Sequence, residues 1–134
     1  MIFKDPKSQQ ELAMAPQKLK DVVARFEELS MGFGIEPVCT RVKGKVAGDS
    51  GVHAAWRAAD FRDQIVGDAG SHNLYTPEQV QEILDTLNKE FPRNDDKSVA
   101  IHHSFDGMPF HFHLQVPIAW LSAEEIRRLY GGLA

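Results

Sequence analysis

Two short stretches carry the residues able to do chemistry. The first, Ser50-Gly51-Val52-His53-Ala54-Ala55-Trp56-Arg57-Ala58-Ala59-Asp60-Phe61-Arg62, places a histidine seven residues ahead of an aspartate, with small residues close to the aspartate. The second is Phe110-His111-Phe112-His113-Leu114-Gln115-Val116. A histidine, a carboxylate and a distant histidine can together hold one zinc ion and leave its fourth position open for water, the ligand count of catalytic zinc sites. The histidines are also concentrated, four of the six lying between His102 and His113.

The second stretch reads as a strand. Phe110, Phe112, Leu114 and Val116 alternate with His111, His113 and Gln115, so the apolar set faces a core and the two imidazoles share the other face. There they line a cleft or meet solvent, roughly 7 Å apart at the Cα atoms for a ~3.4 Å rise per residue. One can bind a metal while its neighbour sits beside the metal-bound water, or both can bind one ion. Strand alternation allows only one of His102 and His103 to face the same site. Arg41, Arg57 and Arg62 are candidates to bind a substrate carboxylate bidentately. Arg41 is placed best, on the strand feeding the site. Trp56 is a ligand-stacking or a core aromatic, and Asp49 and Asp68 lie in expected loops.

The elements that must position these residues follow from periodicity. Residues 1 to about 13 read as an irregular lead-in. From Pro16, the spacing of Leu19, Val22, Val23, Phe26 and Leu29 predicts a helix that Gly32 and Gly34 end. Ile35 to Val42 reads as a strand with Val38, Thr40 and Val42 on one face and Cys39 and Arg41 on the other. Lys43 to Gly51 is a polar loop, Ala58 to Arg62 a short strand, and Asp63 to Tyr75 a long connection. Thr76-Pro77-Glu78-Gln79 opens a helix whose buried stripe is Val80, Ile83, Leu84, Leu87 and Phe91, and Pro92 ends it. Ser98 to His103 reads as a strand and Ser104 to Pro109 as a turn. After Pro117, Ser122 and Glu125 form a capping box for a last helix that Gly131 and Gly132 close. The order helix, strand, strand, helix, strand, strand, helix argues for an α+β domain with a small, mostly antiparallel sheet flanked by helices.

Composition bounds the partners. The chain has 134 residues, 43% hydrophobic and 25% charged, as expected of one soluble domain. A net charge of −4 disfavours nucleic acid and anionic membranes as partners. Cys39 is the only cysteine, so no internal disulfide forms, and it reads as a packed thiol. The polar stretch from Met1 to Gln10 lacks the apolar run of a signal peptide, and no apolar stretch is long enough to span a bilayer. Synthesis in the cytoplasm is therefore expected, and any action outside it needs another route of delivery. The oligomeric state is open.

His53, Ala58 and Asp60 resemble the His-x6-Asp zinc motif of the hedgehog/D-Ala-D-Ala metallopeptidase superfamily, whose usual pattern is Ser-x-His-x-x-Gly-x-Ala-x-Asp. Trp56 stands where that pattern has glycine, and Ser50 lies one residue too far from His53. His111-Phe112-His113 resembles the second motif, in the form closest to the penicillin-insensitive murein endopeptidases and the lysostaphin-like enzymes. The resemblance covers roughly Leu19 to Pro117. It implies a hedgehog/DD-peptidase-like fold, zinc held by His53, Asp60 and His113, and His111 as the catalytic or oxyanion-stabilising histidine. The acidic residue that many relatives carry three before the last ligand is absent, Phe110 standing there, or Met108 if the count starts from His111. Asp106, on the turn before the strand, is the nearest carboxylate to act as general base. The implied activity is hydrolysis of peptidoglycan peptide bonds by an enzyme of phage endolysin or virion-associated type, acting at the cell wall after lysis or virion delivery. The alternative, which the missing acidic residue and the Trp56 substitution favour, is a catalytically inactive structural or binding module on the same fold, with or without zinc.

Overall fold

The computed structural model describes residues 1–42, 56–67, 70–103 and 110–131. The expected loop from Lys43 to Gly51, the turn from Ser104 to Pro109, and Gly132 lie outside them. The described elements run β1 (Ile2–Phe3), α1 (Pro6–Met14), α2 (Gln17–Gly32), β2 (Val38–Arg41), β3 (Ala58–Arg62), β4 (Gln64–Gly67), β5 (Gly70–Asn73), α3 (Pro77–Glu90), β6 (Ala100–His103), β7 (His111–Gln115), a 3-10 turn (Ile118–Trp120) and α4 (Ala123–Tyr130). The chain is α+β. Its main sheet is mixed, in the order β1-β2-β3-β7-β6; β1 runs parallel to β2 and the other pairings are antiparallel. Among the described residues, no helix is long and apolar enough to cross a membrane.

The N-terminal stretch is not the irregular lead-in expected for residues 1 to 13. Ile2 and Phe3 add a strand beside Val38 and Cys39, and Pro6 to Met14 form a helix that Asp5 caps through Ser8 N. Its mean amphipathy is weak and only Leu12 supplies a large buried apolar side chain, so periodicity gave little warning. The connection from Asp63 to Tyr75 also holds structure, a β4–β5 hairpin in which Gly67 pairs with Gly70. Gly70 has φ +99, a conformation that glycine adopts without strain.

The helices form where their caps and stripes place them. Leu19, Val22, Val23 and Phe26 of α2 are buried against the sheet. Pro16 sits at the N-cap of α2, one position earlier than a first-turn proline. Both expected capping boxes form, Thr76 with Gln79 and Ser122 with Glu125. The second does more than cap its own helix, because Glu125 Oε2 also accepts from Gln17 N and so caps α2. Phe26, Phe61, Phe112 and Tyr75 form the aromatic centre of the core, with ring centroids 4.6 Å apart for Phe26–Phe61 and 4.9 Å for Tyr75–Phe112. Burying one such ring contributes about 1.5–3 kcal/mol. Tyr75 Oη reaches Ser30 Oγ at 2.9 Å, which satisfies two hydroxyls inside that core. The edge strand β6 is tied to α3 by Asn88, whose side chain accepts from Ala100 N and donates to Ala100 O.

Candidate functional site

The main sheet has two chemically different faces, and register decides which side chains share each. Asp60 lies opposite His113, and His113 lies opposite Ile101. One row beyond, Arg62 lies opposite His111, and His111 opposite His103. Asp60, His113, His111 and His103 therefore gather on one face. Phe61, Phe112 and His102 form a row on the other, toward the core. Alternation along β6 admits His103 to the site and turns His102 away, as expected of the adjacent pair.

Arg41 reaches this face through a fault in the strand. Cys39 pairs with Phe61, but Arg41 pairs with Asp60, so β2 carries one extra residue between them. This bulge puts Cys39 and Arg41 on opposite faces, where simple alternation placed them together. Cys39 enters the core, and burial pushes its thiol up to about 12. Arg41 turns to Asp60: its Nε donates to Oδ2 at 3.1 Å and Nη2 lies 2.9 Å from the same oxygen.

Asp60 is fully buried, and a buried carboxylate needs charge and hydrogen-bond compensation. Arg41 compensates Oδ2. The other oxygen, Oδ1, lies 2.8 Å from His113 Nδ1. His111 Nε2 stands 3.7 Å from Oδ2. The far nitrogen of His113, Nε2, is 3.1 Å from Gln115 Oε1, and Gln115 Nε2 donates to Ser98 O at 3.0 Å. The His103 ring centroid is 4.8 Å from that of His111 and 5.3 Å from that of His113. Burial, with the neighbouring His111 and His113 adding to it, pushes His103 down to about 4, so its ring is neutral at physiological pH.

His111 and His113 are buried, 4% and 3% exposed, where a cleft or solvent was expected. Phe110 departs in the opposite sense. It precedes β7, is 54% exposed and stacks on His102 at 5.4 Å, so it is not part of the core face. The structure thus brings Arg41, Asp60, His111 and His113 together. Arg57 is elsewhere, where its Nη1 donates to Val116 O at 3.1 Å and its guanidinium meets Tyr130 of α4. His53, the third expected metal ligand, and Asp106, the expected base, lie outside the described residues, as do Ser50, Asp49, Asp68 and Met108. Among the described residues, no group of three or more His, Cys, Asp and Glu side chains is arranged to hold a metal ion.

Sequence reasoning missed two features. One is Gln115 as the partner of His113, although alternation already put them on one face. The other is a second aspartate–histidine pair. Asp63, buried, holds His102 Nε2 at 2.7 Å through Oδ2 and accepts from Tyr75 N at 3.0 Å through Oδ1. No protein-family profile matches the chain, and no curated protein and no solved structure matches it.

Proposed function

We propose that this chain is a zinc-dependent peptidase that hydrolyses amide bonds in the stem or cross-link peptides of peptidoglycan, on a hedgehog/DD-peptidase-like fold. The observation that carries the reading is the Asp60–His113 pair, two metal-ligand side chains directly opposite on neighbouring strands with Oδ1 and Nδ1 2.8 Å apart. Donors ~2.0–2.1 Å from a tetrahedral zinc lie about 3.3 Å from each other, so a small opening of this pair fits both to one ion. His53 would be the third ligand. Trp56 adds support from the backbone. It stands where the zinc motif carries glycine, and its φ is +62, in the left-handed region that glycine favours. The peptidoglycan substrate rests on the sequence resemblance, as does delivery to the cell wall by lysis or a virion.

When bound, zinc supplies a water of lowered pKa and a Lewis acid for the scissile carbonyl. The protein's own residues do the rest. Arg41 holds Asp60 in place and offsets its charge. His111, on the same face as His113, is positioned to donate a hydrogen bond to the oxyanion as it develops. His103 packs beside both imidazoles as a neutral ring. Asp106 is proposed as the base that takes the proton of the attacking water.

The Arg41–Asp60 ion pair favours one rival, an inactive module on the same fold, because Arg41 offsets the carboxylate's charge without a metal ion. Elemental analysis of untagged protein, paired with digestion of purified muropeptides, separates the two. About one equivalent of zinc, lost in His53→Ala, together with cleavage supports the peptidase. Zinc without cleavage of any muropeptide or D-residue peptide establishes the module, and no zinc removes the metal site.

A further inference from the structure

We propose that Gln115 is a positioning residue that sets which ring nitrogen of His113 carries its proton. Ser98 O is a backbone carbonyl and can only accept, so the Gln115 atom 3.0 Å from it is the amide nitrogen. The other end of that amide, Oε1, can also only accept, and it lies 3.1 Å from His113 Nε2. His113 Nε2 must therefore carry hydrogen and donate. In a neutral imidazole this leaves the electron pair on Nδ1, the nitrogen facing Asp60 Oδ1 at 2.8 Å. An electron pair and a carboxylate oxygen at that distance attract only through a cation between them, a proton or a metal ion. The chain from Ser98 through Gln115 to His113 thus leaves the electron pair of a neutral His113 on Nδ1, facing Asp60 and open to a proton or a metal ion. Gln115 is itself nearly buried, which keeps water from replacing it. The consequence for zinc rests on the metal-site reading above; the tautomer does not.

Nitrogen-15 NMR of the imidazoles in metal-free and zinc-loaded protein reads the tautomer directly, with His113 assigned by its loss in His113→Ala. Wild type should show a protonated, hydrogen-bonded His113 Nε2 in both states. Gln115→Met, close in shape but without the acceptor, should lose that signature and weaken zinc binding by about 10- to 100-fold in a chelator competition. Gln115→Glu gives up the donor to Ser98 O but keeps an acceptor for Nε2, and should retain the signature, which separates tautomer control from damage to the fold should the methionine variant be unstable. A bare Nε2 in wild type, or ring shifts unmoved in Gln115→Met, overturns the proposal. If wild type binds no zinc but keeps the protonated Nε2, the metal reading fails and the role of Gln115 stands. Zinc affinity unchanged in a Gln115→Met protein that has lost the signature shows that Gln115 does not act on the metal.

Discussion

The described residues include two aspartate–histidine pairs at nearly equal distance, each built on a buried aspartate: Asp60 with His113 at 2.8 Å and Asp63 with His102 at 2.7 Å. They lie on opposite faces of the same sheet, and their surroundings make them different objects. Around Asp60 stand other side chains able to bind or move charge: Arg41, His111 and His103. Around Asp63 stand a backbone amide and aromatic rings. Tyr75 N donates to Asp63, and His102 packs between Phe110 and Phe112. Asp63 closes the base of the β4–β5 hairpin, where Leu74 N also donates to its backbone carbonyl. A buried Asp–His pair alone therefore says little about function. The identity of the next groups outward separates a site from a tether.

The largest expected effect breaks the first pair. Asp60→Ala removes a proposed zinc ligand and leaves the mostly buried Arg41 without its carboxylate, a change that costs about 3–5 kcal/mol. Urea denaturation of metal-free protein should show that loss, and zinc content should fall to background. Adding Arg41→Met should return part of the stability but none of the zinc, since the buried charge goes and the ligand does not come back. A zinc content unchanged in Asp60→Ala would end the proposed ligand set.

Next in size is His111→Ala. It should keep its zinc and lose about 100- to 1000-fold in turnover of muropeptides, the usual effect of removing one oxyanion donor. The mirror experiment is His102→Ala, which should keep both zinc and turnover and lose only stability. If His111→Ala loses zinc, His111 is a ligand and the assignment along β7 is wrong. Asp63→Ala follows. It leaves the Tyr75 amide without its acceptor, and should cost about 1–3 kcal/mol while zinc affinity stays as in wild type. A matching fall in zinc affinity would mean that the two faces are coupled and the contrast between the pairs is false.

What was legible in the chain follows the same division. Period-two alternation places His111, His113 and Gln115 together because β7 is regular, and the capping boxes at Thr76 and Ser122 are local chemistry that needs no tertiary context. The bulge in β2 is invisible to alternation, since an extra residue leaves no mark on composition; Arg41 is legible as a site residue, but its separation from the face of Cys39 is not. Burial of His111 and His113 was equally hidden, because a polar strand face reads as solvated unless another layer covers it. Asp63–His102 escaped notice because a pair separated by 39 positions is made by sheet register and not by any motif.

The smallest effect concerns the neighbours His102 and His103, adjacent in sequence and on opposite faces. His103 is pushed down from 6.5 to about 4, first by burial and then by the imidazoles of His111 and His113, with Asp60 acting weakly in the other direction. Between those two values the unfolded chain binds a proton at this position that the folded chain refuses. Acid therefore favours unfolding. The contribution of neutral His103 is complete above about pH 6.5 and is lost as the pH falls toward 4. His103→Gln removes the titrating ring, so metal-free His103→Gln should lose less stability than wild type between pH 7 and pH 4.5, by urea denaturation at each pH. A packing difference between the two proteins shifts stability equally at every pH, so the difference in slope alone reports the proton. Equal slopes would mean that His103 takes up its proton in the folded state as readily as in the unfolded one, and the crowding of three imidazoles beside Asp60 would have to be looser than the ring distances of 4.8 and 5.3 Å require.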